Sequence, residues 1–271
     1  RIERWGKIIN EAGNNMLSLT EVERLHAALI HNTKNLKIGL RDEGVFLGDR
    51  DHEGDPIPEF IGAKESDLNK LIEEWLELNK VLGESDVDPV LYAAIMAFSF
   101  VYIHPLEDGN GRIHRYLFHH ILAKEEFYPR GMIFPISSEI LDNIDIYRDV
   151  LVSHSGPLMD CIEWDITDKK NVFVTNDTAD FYRYFDVTRA SEFVYECARK
   201  TIDDFLPKEI KYLERFDKSY QEARDVVEMA DHELKQLLTF IIQNEGKLSA
   251  RKKEKFFEKM PEDILSEIEN I

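Results

Sequence analysis

Twelve residues, His104 to Arg115, hold side chains whose types and spacing could handle a phosphate: His-Pro-Leu-Glu-Asp-Gly-Asn-Gly-Arg-Ile-His-Arg. His104 can take a proton near neutral pH. Pro105 stiffens the chain just after it. Asp108 is a hard oxygen ligand of the kind Mg2+ prefers. Gly109 and Gly111 flank Asn110, so the backbone there can turn its N–H groups toward a single anion. From Ile113 the pattern is helical, which sets that nest at a helix N-terminus, where the dipole also favours negative charge. Arg112 and Arg115 are three apart, on one side of the helix, and both can reach phosphate oxygens. A proton acceptor, a metal ligand, an anion nest and two guanidiniums describe a nucleotide phosphate site.

The same residues carry a family resemblance. The stretch resembles the Fic signature His-Pro-Phe-x-Asp-Gly-Asn-Gly-Arg-x-x-Arg and departs from it at one fixed position, Leu106 for Phe. Both residues are apolar, so the departure should alter packing, not chemistry. The resemblance covers roughly residues 15 to 165 and implies a mainly α-helical bundle with a small β-hairpin flap. Its usual activity is protein adenylylation, in which AMP moves from ATP to a Ser, Thr or Tyr hydroxyl of a target protein, or of the enzyme itself. The resemblance implies that His104 is the base and that Asp108 holds Mg2+. It implies that Gly109, Asn110 and Gly111 cradle phosphate, that Arg112 holds the distal phosphate, and that Arg115 supports that phosphate or the loop. Tyr147 could line the nucleoside pocket or pack in the core. Alternatives within the family are transfer of another phosphate-containing group and removal of AMP. Doc-like members usually carry Lys where Gly111 stands. A catalytically silent nucleotide-binding adaptor is the alternative outside enzymology.

Many Fic proteins are restrained by a helix with the pattern Ser/Thr-x-x-x-Glu-Gly/Asn, whose glutamate pairs with the second arginine of the signature, here Arg115. Glu11-Ala12-Gly13-Asn14 looks like that ending with a residue added, and Lys7 stands where Ser or Thr is usual. The resemblance thus makes Glu11 a candidate inhibitor; a surface glutamate before a turn is the other reading.

The elements that must position the signature are legible at coarse scale. Glu11 to Asn15 reads as a helix end or turn. Thr20-Glu21-Val22-Glu23 has the capping-box form, so a helix should start at Thr20. Residues 36 to 61 carry Gly39, Gly44, Gly48 and Gly54 between β-prone pieces, Val45 to Leu47 and Ile57 to Ile61, and read as a hairpin with a polar tip. This hairpin resembles the Fic flap, which lines up the target segment. Asp67 to Leu82 is amphipathic. Pro89 suits a first helical turn, and Val90 to about Tyr102 is apolar nearly all round, the pattern of a central buried helix. Further helices are expected over Ile113 to Ala123 and Asp142 to His154. Asp165 to Thr178 reads as a polar linker. Beyond it, Phe181 to Val194 suggests one helix, Pro207 a break, and Leu234 to Ile242 another helix ended by Asn244 to Gly246. The expected organisation is therefore a Fic domain over 1–165 and an α-helical C-terminal region over 166–271.

Composition narrows the partners. Hydrophobic residues make up 43% of 271, which suits a packed core. The formal net charge of −19 disfavours broad nucleic-acid binding. The basic residues between Lys247 and Lys259 (Lys247, Arg251, Lys252, Lys253, Lys255, Lys259) leave a helix-turn-helix-like module open, against a solvated helix face with Phe256 and Phe257 turned inward. Cys161 and Cys197 cannot build a disulfide framework, so a reducing, cytoplasmic setting is expected. No signal peptide is visible, and Val90 to Ile103 is too short to span a bilayer. The chain opens at Arg1, not Met, so residues upstream are expected. His114, His119 and His120 lack the i, i+4 pairing of a helical metal site and read as packed or solvated. Self-association remains open.

Overall fold

Two N-terminal helices, α1 (Ile2–Asn10) and α2 (Leu19–Leu29), are joined by a turn in which Gly13 takes φ 81°. The computed structural model describes residues 2–30, 37–129, 132–244, 246–258 and 260–270. Helix α2 starts earlier than the Thr20 box suggests. Ser18 is the N-cap, and its hydroxyl accepts from Glu21 N–H at 3.2 Å. The sequence holds two overlapping capping boxes. The earlier one is used because it sets Leu17 just before the cap and Val22 in the first turn, and both are buried.

The hairpin forms as expected, with β1 (Phe46–Arg50) antiparallel to β2 (Pro56–Ile61) and a register shift at Leu47/Gly48. A short 3-10 turn at Glu65–Asp67 leads into α3 (Leu68–Gly83), and α4 (Pro89–Ile103) follows. Asp88 caps α4, its carboxylate accepting from Val90 and Leu91 N–H at 2.8 and 3.2 Å, with Pro89 at N1. Apolar on every side, α4 is enclosed. Tyr92, Met96, Phe98 and Phe100 are fully buried, and so are Ala93, Ala94 and Ala97, whose small side chains let neighbours approach. Burying a side chain such as Phe98 contributes about 1.5–3 kcal/mol relative to leaving it exposed. Trp75 of α3 donates its indole N–H to Met96 O at 3.0 Å. Helix α5 (Asn110–Lys124) returns along α4, so the signature forms the turn of a helical hairpin. It is followed by α6 (Ile136–Asp142), a helix that was not expected, and by α7 (Ile144–Met159), which matches the helix expected over Asp142 to His154.

Residues 165 to 178 are not a linker. They carry all but the first residue of β3 (Trp164–Ile166) and the whole of β4 (Val172–Val174), an antiparallel pair whose Val172 and Val174 are buried with Ile61 and Ile162. The polar tip between the strands masked two short apolar faces. This second hairpin braces the first: Asn171 Nδ2 donates to Gly44 O at 2.7 Å, and Lys170 Nζ lies 2.6 Å from Asp55 Oδ1. Beyond it come α8 (Ala179–Arg183) and α9 (Thr188–Lys200), two helices in place of the one expected over Phe181 to Val194. Helix α9 packs on α4, so the first compact unit runs to Thr201 and not to 165.

The second unit, Ile202–Ile271, holds α10 (Leu206–Val226), α11 (Asp231–Gln243), α12 (Ala250–Phe256) and α13 (Glu262–Ile268) around its own core of Leu234, Leu237, Leu238, Ile241 and Leu265. Pro207 sits in the first turn of α10. The basic run is partly neutralised in place. Lys253 pairs with Glu262, Lys247 pairs with Glu269 at 3.1 Å, and Lys252 Nζ lies 3.7 Å over the Phe240 ring. Phe257 is buried, but Phe256 is exposed. Lys259 lies outside the described residues. Helix α13, Glu-Asp-Ile-Leu-Ser-Glu-Ile, is acidic and would repel a phosphate backbone. Among the described residues no helix is long and apolar enough to cross a membrane.

Candidate active site

Helix α4 ends because His104 turns left-handed, with φ 53° and ψ 57°, a conformation uncommon for any residue but glycine. Its N–H still reaches Phe100 O at 3.0 Å. The imidazole is buried, and Nδ1 lies 3.1 Å from Val101 O. A carbonyl only accepts, so Nδ1 carries the proton and Nε2 keeps its lone pair. Burial pushes the group down to about 4, with nearby Arg41 adding to that against the Val101 hydrogen bond, so the ring is neutral at pH 7. His104 lines a cavity of about 610 Å³. Leu47, Gly48, Glu59 and Phe60 of the first hairpin form one wall, and Leu151, Val152 and Ser155 of α7 another. The Phe60 ring centroid is 5.6 Å from that of the imidazole.

The loop after His104 closes on itself. Leu106, the departure from the signature, is fully buried. Gly109 takes φ 91° as the N-cap of α5, and a Cβ there would press within 3.2 Å of Ile30. Asp108 is half exposed, and its Oδ1 accepts from Gly109 N–H at 2.6 Å. Arg112 donates to Leu29 O at 3.1 Å, and its Nη2 lies 3.9 Å from Asp108 Oδ2. Beside Gly111, where a Cβ would stand 3.7 Å from it, is Arg115 Nη1. Arg115 is half-buried, which lowers its pKa, and it has no carboxylate partner among the described residues. The first amides of α5 have no intrahelical acceptor. Two guanidiniums and a helix N-terminus thus converge beside one exposed carboxylate, an arrangement that suits a polyphosphate with a cation.

The side chains of three expected site residues are engaged in other contacts. The Asn110 side chain is 1% exposed and bonded on both sides to the Leu106 main chain, so it shapes the nest and does not face it. Tyr147 is buried among the rings of Phe98, His114 and Phe193, at centroid distances of 6.0, 5.4 and 6.1 Å, and is a core residue. The Glu11 carboxylate lies 3.2 Å from Arg24 Nη1, on an arginine that also holds Glu21. Arg24 on α2 captures Glu11, so the inhibitory contact with Arg115 is not made. The three helical histidines are packed: His114 Nδ1 is 2.8 Å from Ala97 O, His119 Nε2 is 2.6 Å from Ser137 Oγ, and His120 Nδ1 accepts from Gly13 N–H. No metal-binding cluster of His, Cys, Asp or Glu exists among the described residues.

Two buried residues that sequence reasoning passed over reach this loop. His26, fully buried under it, accepts from Gly39 N–H at 3.1 Å. Arg41 donates to the His104 carbonyl at 2.9 Å. Neither lies in a spaced pattern; a lone arginine between Gly39 and Gly44 was the sole signal.

Residues 16–122 match the model of the Fic/DOC family. The chain carries a Fic domain. Over 144 residues it is 27% identical to protein adenylyltransferase fic-1 of Caenorhabditis elegans, covering 52% of this chain and 25% of that protein. Over 114 residues it is 30% identical to protein adenylyltransferase Fic of Nematostella vectensis, covering 42% of this chain and 24% of that one. The chain therefore spans about a quarter of the length of these curated relatives. A Fic family protein from Desulfovibrio desulfuricans superposes with a TM-score of 0.52 at 18% identity, over 76% of this chain and 53% of that one, a likeness of fold.

Proposed function

We propose that this Fic domain is a protein adenylyltransferase, moving AMP from ATP to a hydroxyl of a target protein. The observation that carries the reading is the state of His104: neutral, with Nε2 free to accept, on a cavity walled by the flap hairpin, one turn of chain from a helix N-terminus with two arginines. The names of its distant relatives agree with it.

The acceptor hydroxyl enters along the hairpin and gives its proton to His104 Nε2. Its oxygen attacks the α-phosphorus, a new P–O bond forms, and the bond to the bridging oxygen of the β-phosphate breaks. Pyrophosphate leaves with that electron pair. Arg112 and Arg115 take up the developing charge, and the amides at the start of α5 hold the phosphates in line. Asp108 suits Mg2+: its half-exposed carboxylate is a hard oxygen ligand beside the start of α5, and it is the residue that would hold the ion. When bound, Mg2+ would neutralise phosphate charge.

The His104→Ala variant tests the reading. It should lose transfer by a factor of about 100 or more while keeping its affinity for Mg-ATP, measured by calorimetry. Transfer at the wild-type rate in this variant would remove His104 from the reaction.

A further inference from the structure

Arg41 is 3% exposed, and no ion pair joins it among the described residues; Glu65 acts on it only at a distance. All three guanidinium nitrogens are spent on main-chain oxygens. Nε donates to His104 O at 2.9 Å, Nη1 to Glu43 O at 2.7 Å, and Nη2 to Ala63 O. Glu43 lies just before β1 and Ala63 just after β2, so one side chain ties both stems of the hairpin to the carbonyl of the base. The main chain reinforces the junction. Arg41 N–H donates to Pro105 O at 3.0 Å, Gly62 N–H to Val45 O at 3.0 Å, and Ala63 N–H to Ile103 O at 3.1 Å. Gly62 leaves no room: a Cβ there would stand 2.6 Å from Val45 Cγ1, 3.0 Å from His104 Cβ and 3.1 Å from Arg41 Nη2.

Burying a guanidinium without an acid costs free energy, and for holding the hairpin alone the strand hydrogen bonds would serve. What the planar fork adds is a fixed geometry between three carbonyls that no lysine could span. We propose that Arg41 is a positioning residue: it locks the left-handed His104 backbone in register with both hairpin stems, so that an acceptor in the cavity meets Nε2. The inference rests on the reading of His104 as the base. Arg41 touches neither the nucleotide nor the reacting atoms, so its effect falls on the acceptor half of the reaction.

Two variants of the whole chain test it. Arg41→Lys keeps the charge and loses the fork, while Gly62→Ala wedges the junction without altering any charge. In both, kcat for transfer should fall by about 100-fold, the scale of a 1 Å misplacement, with the ATP KM and calorimetric Mg-ATP affinity within about twofold of wild type. Hydrogen exchange should show the amides of Arg41, Gly62 and Ala63 losing protection while Leu117 and Ile121 of α5 keep theirs. Wild-type kcat in both variants, a loss explained by ATP affinity, or protection lost uniformly would overturn the proposal. If the wild-type chain transfers nothing from ATP, the reading of the reaction fails separately. Exchange alone then decides: local loss at the junction supports the positioning role, and unchanged or uniform protection refutes it.

Discussion

The Asn110 carboxamide and the Leu106 main chain hold each other by two hydrogen bonds, Nδ2 donating to Leu106 O at 2.8 Å and Leu106 N–H donating to Oδ1 at 3.0 Å. This closed pair ties the first residue of α5 to the loop before it, so the anion nest is preformed. Asn110→Ala leaves two buried main-chain groups unpaired and should lower unfolding free energy by about 1–3 kcal/mol, with weaker ATP binding as a consequence. Urea denaturation measures the first effect. Full stability with lost ATP affinity would instead mean that the side chain contacts phosphate directly.

Acid should weaken this fold across a defined window. Burial holds His104, His119 and His120 down to about 4 and His114 to about 3, against the ordinary 6.5. Between 6.5 and 4 the unfolded chain therefore binds more protons than the folded one, so stability falls as pH falls; above 6.5 these residues cost nothing further. Each contributes up to about 1.4 kcal/mol per pH unit in that window. Melting temperature against pH should be flat from 8 to 7 and drop below 6.5. A flat profile down to pH 4 would mean that the histidines titrate normally.

Glu11 is occupied by Arg24, so relieving it should release nothing. Self-modification by Glu11→Gly with ATP should match wild type within about twofold, and because exposed ion pairs are worth at most about 1 kcal/mol, its stability should barely change. A rise of tenfold or more would show that Glu11 leaves Arg24 and restrains the site in solution.

Asp108→Ala should remove the Mg2+-dependent part of ATP affinity, because Glu107, the adjacent acid, is turned to the Lys37 amide at 3.2 Å. Calorimetry with and without Mg2+ reads this directly. An unchanged response to the metal would place the ion elsewhere.

Chemistry was more legible in this sequence than architecture. The signature is local, so spacing alone placed His104, the glycines and both arginines at one turn, and the apolar run of α4 announced its burial. What failed was whatever depended on distant partners. Tyr147 looked available until Phe98, His114 and Phe193 closed around it. Glu11 looked free until Arg24, which lies on another helix, took it. The β3–β4 hairpin hid because three-residue strands carry too few side chains for a period to show, and only Ile61 and Ile162 reveal what Val172 and Val174 pack against. Arg41 was invisible for the same reason: its importance lies in three carbonyls, and carbonyls have no letter in a sequence.

The central claim is AMP transfer with His104 as base, and labelled ATP tests it most directly. The chain should be incubated with Mg2+ and ATP labelled at either the α- or the γ-phosphate, alone and with a cell extract as the source of acceptor protein. Label from the α-position alone should enter protein, and the His104→Ala variant should abolish it. Label from the γ-position would contradict the claim in favour of phosphate transfer, and no label from either, in the chain or in the extract, would contradict transfer from ATP altogether.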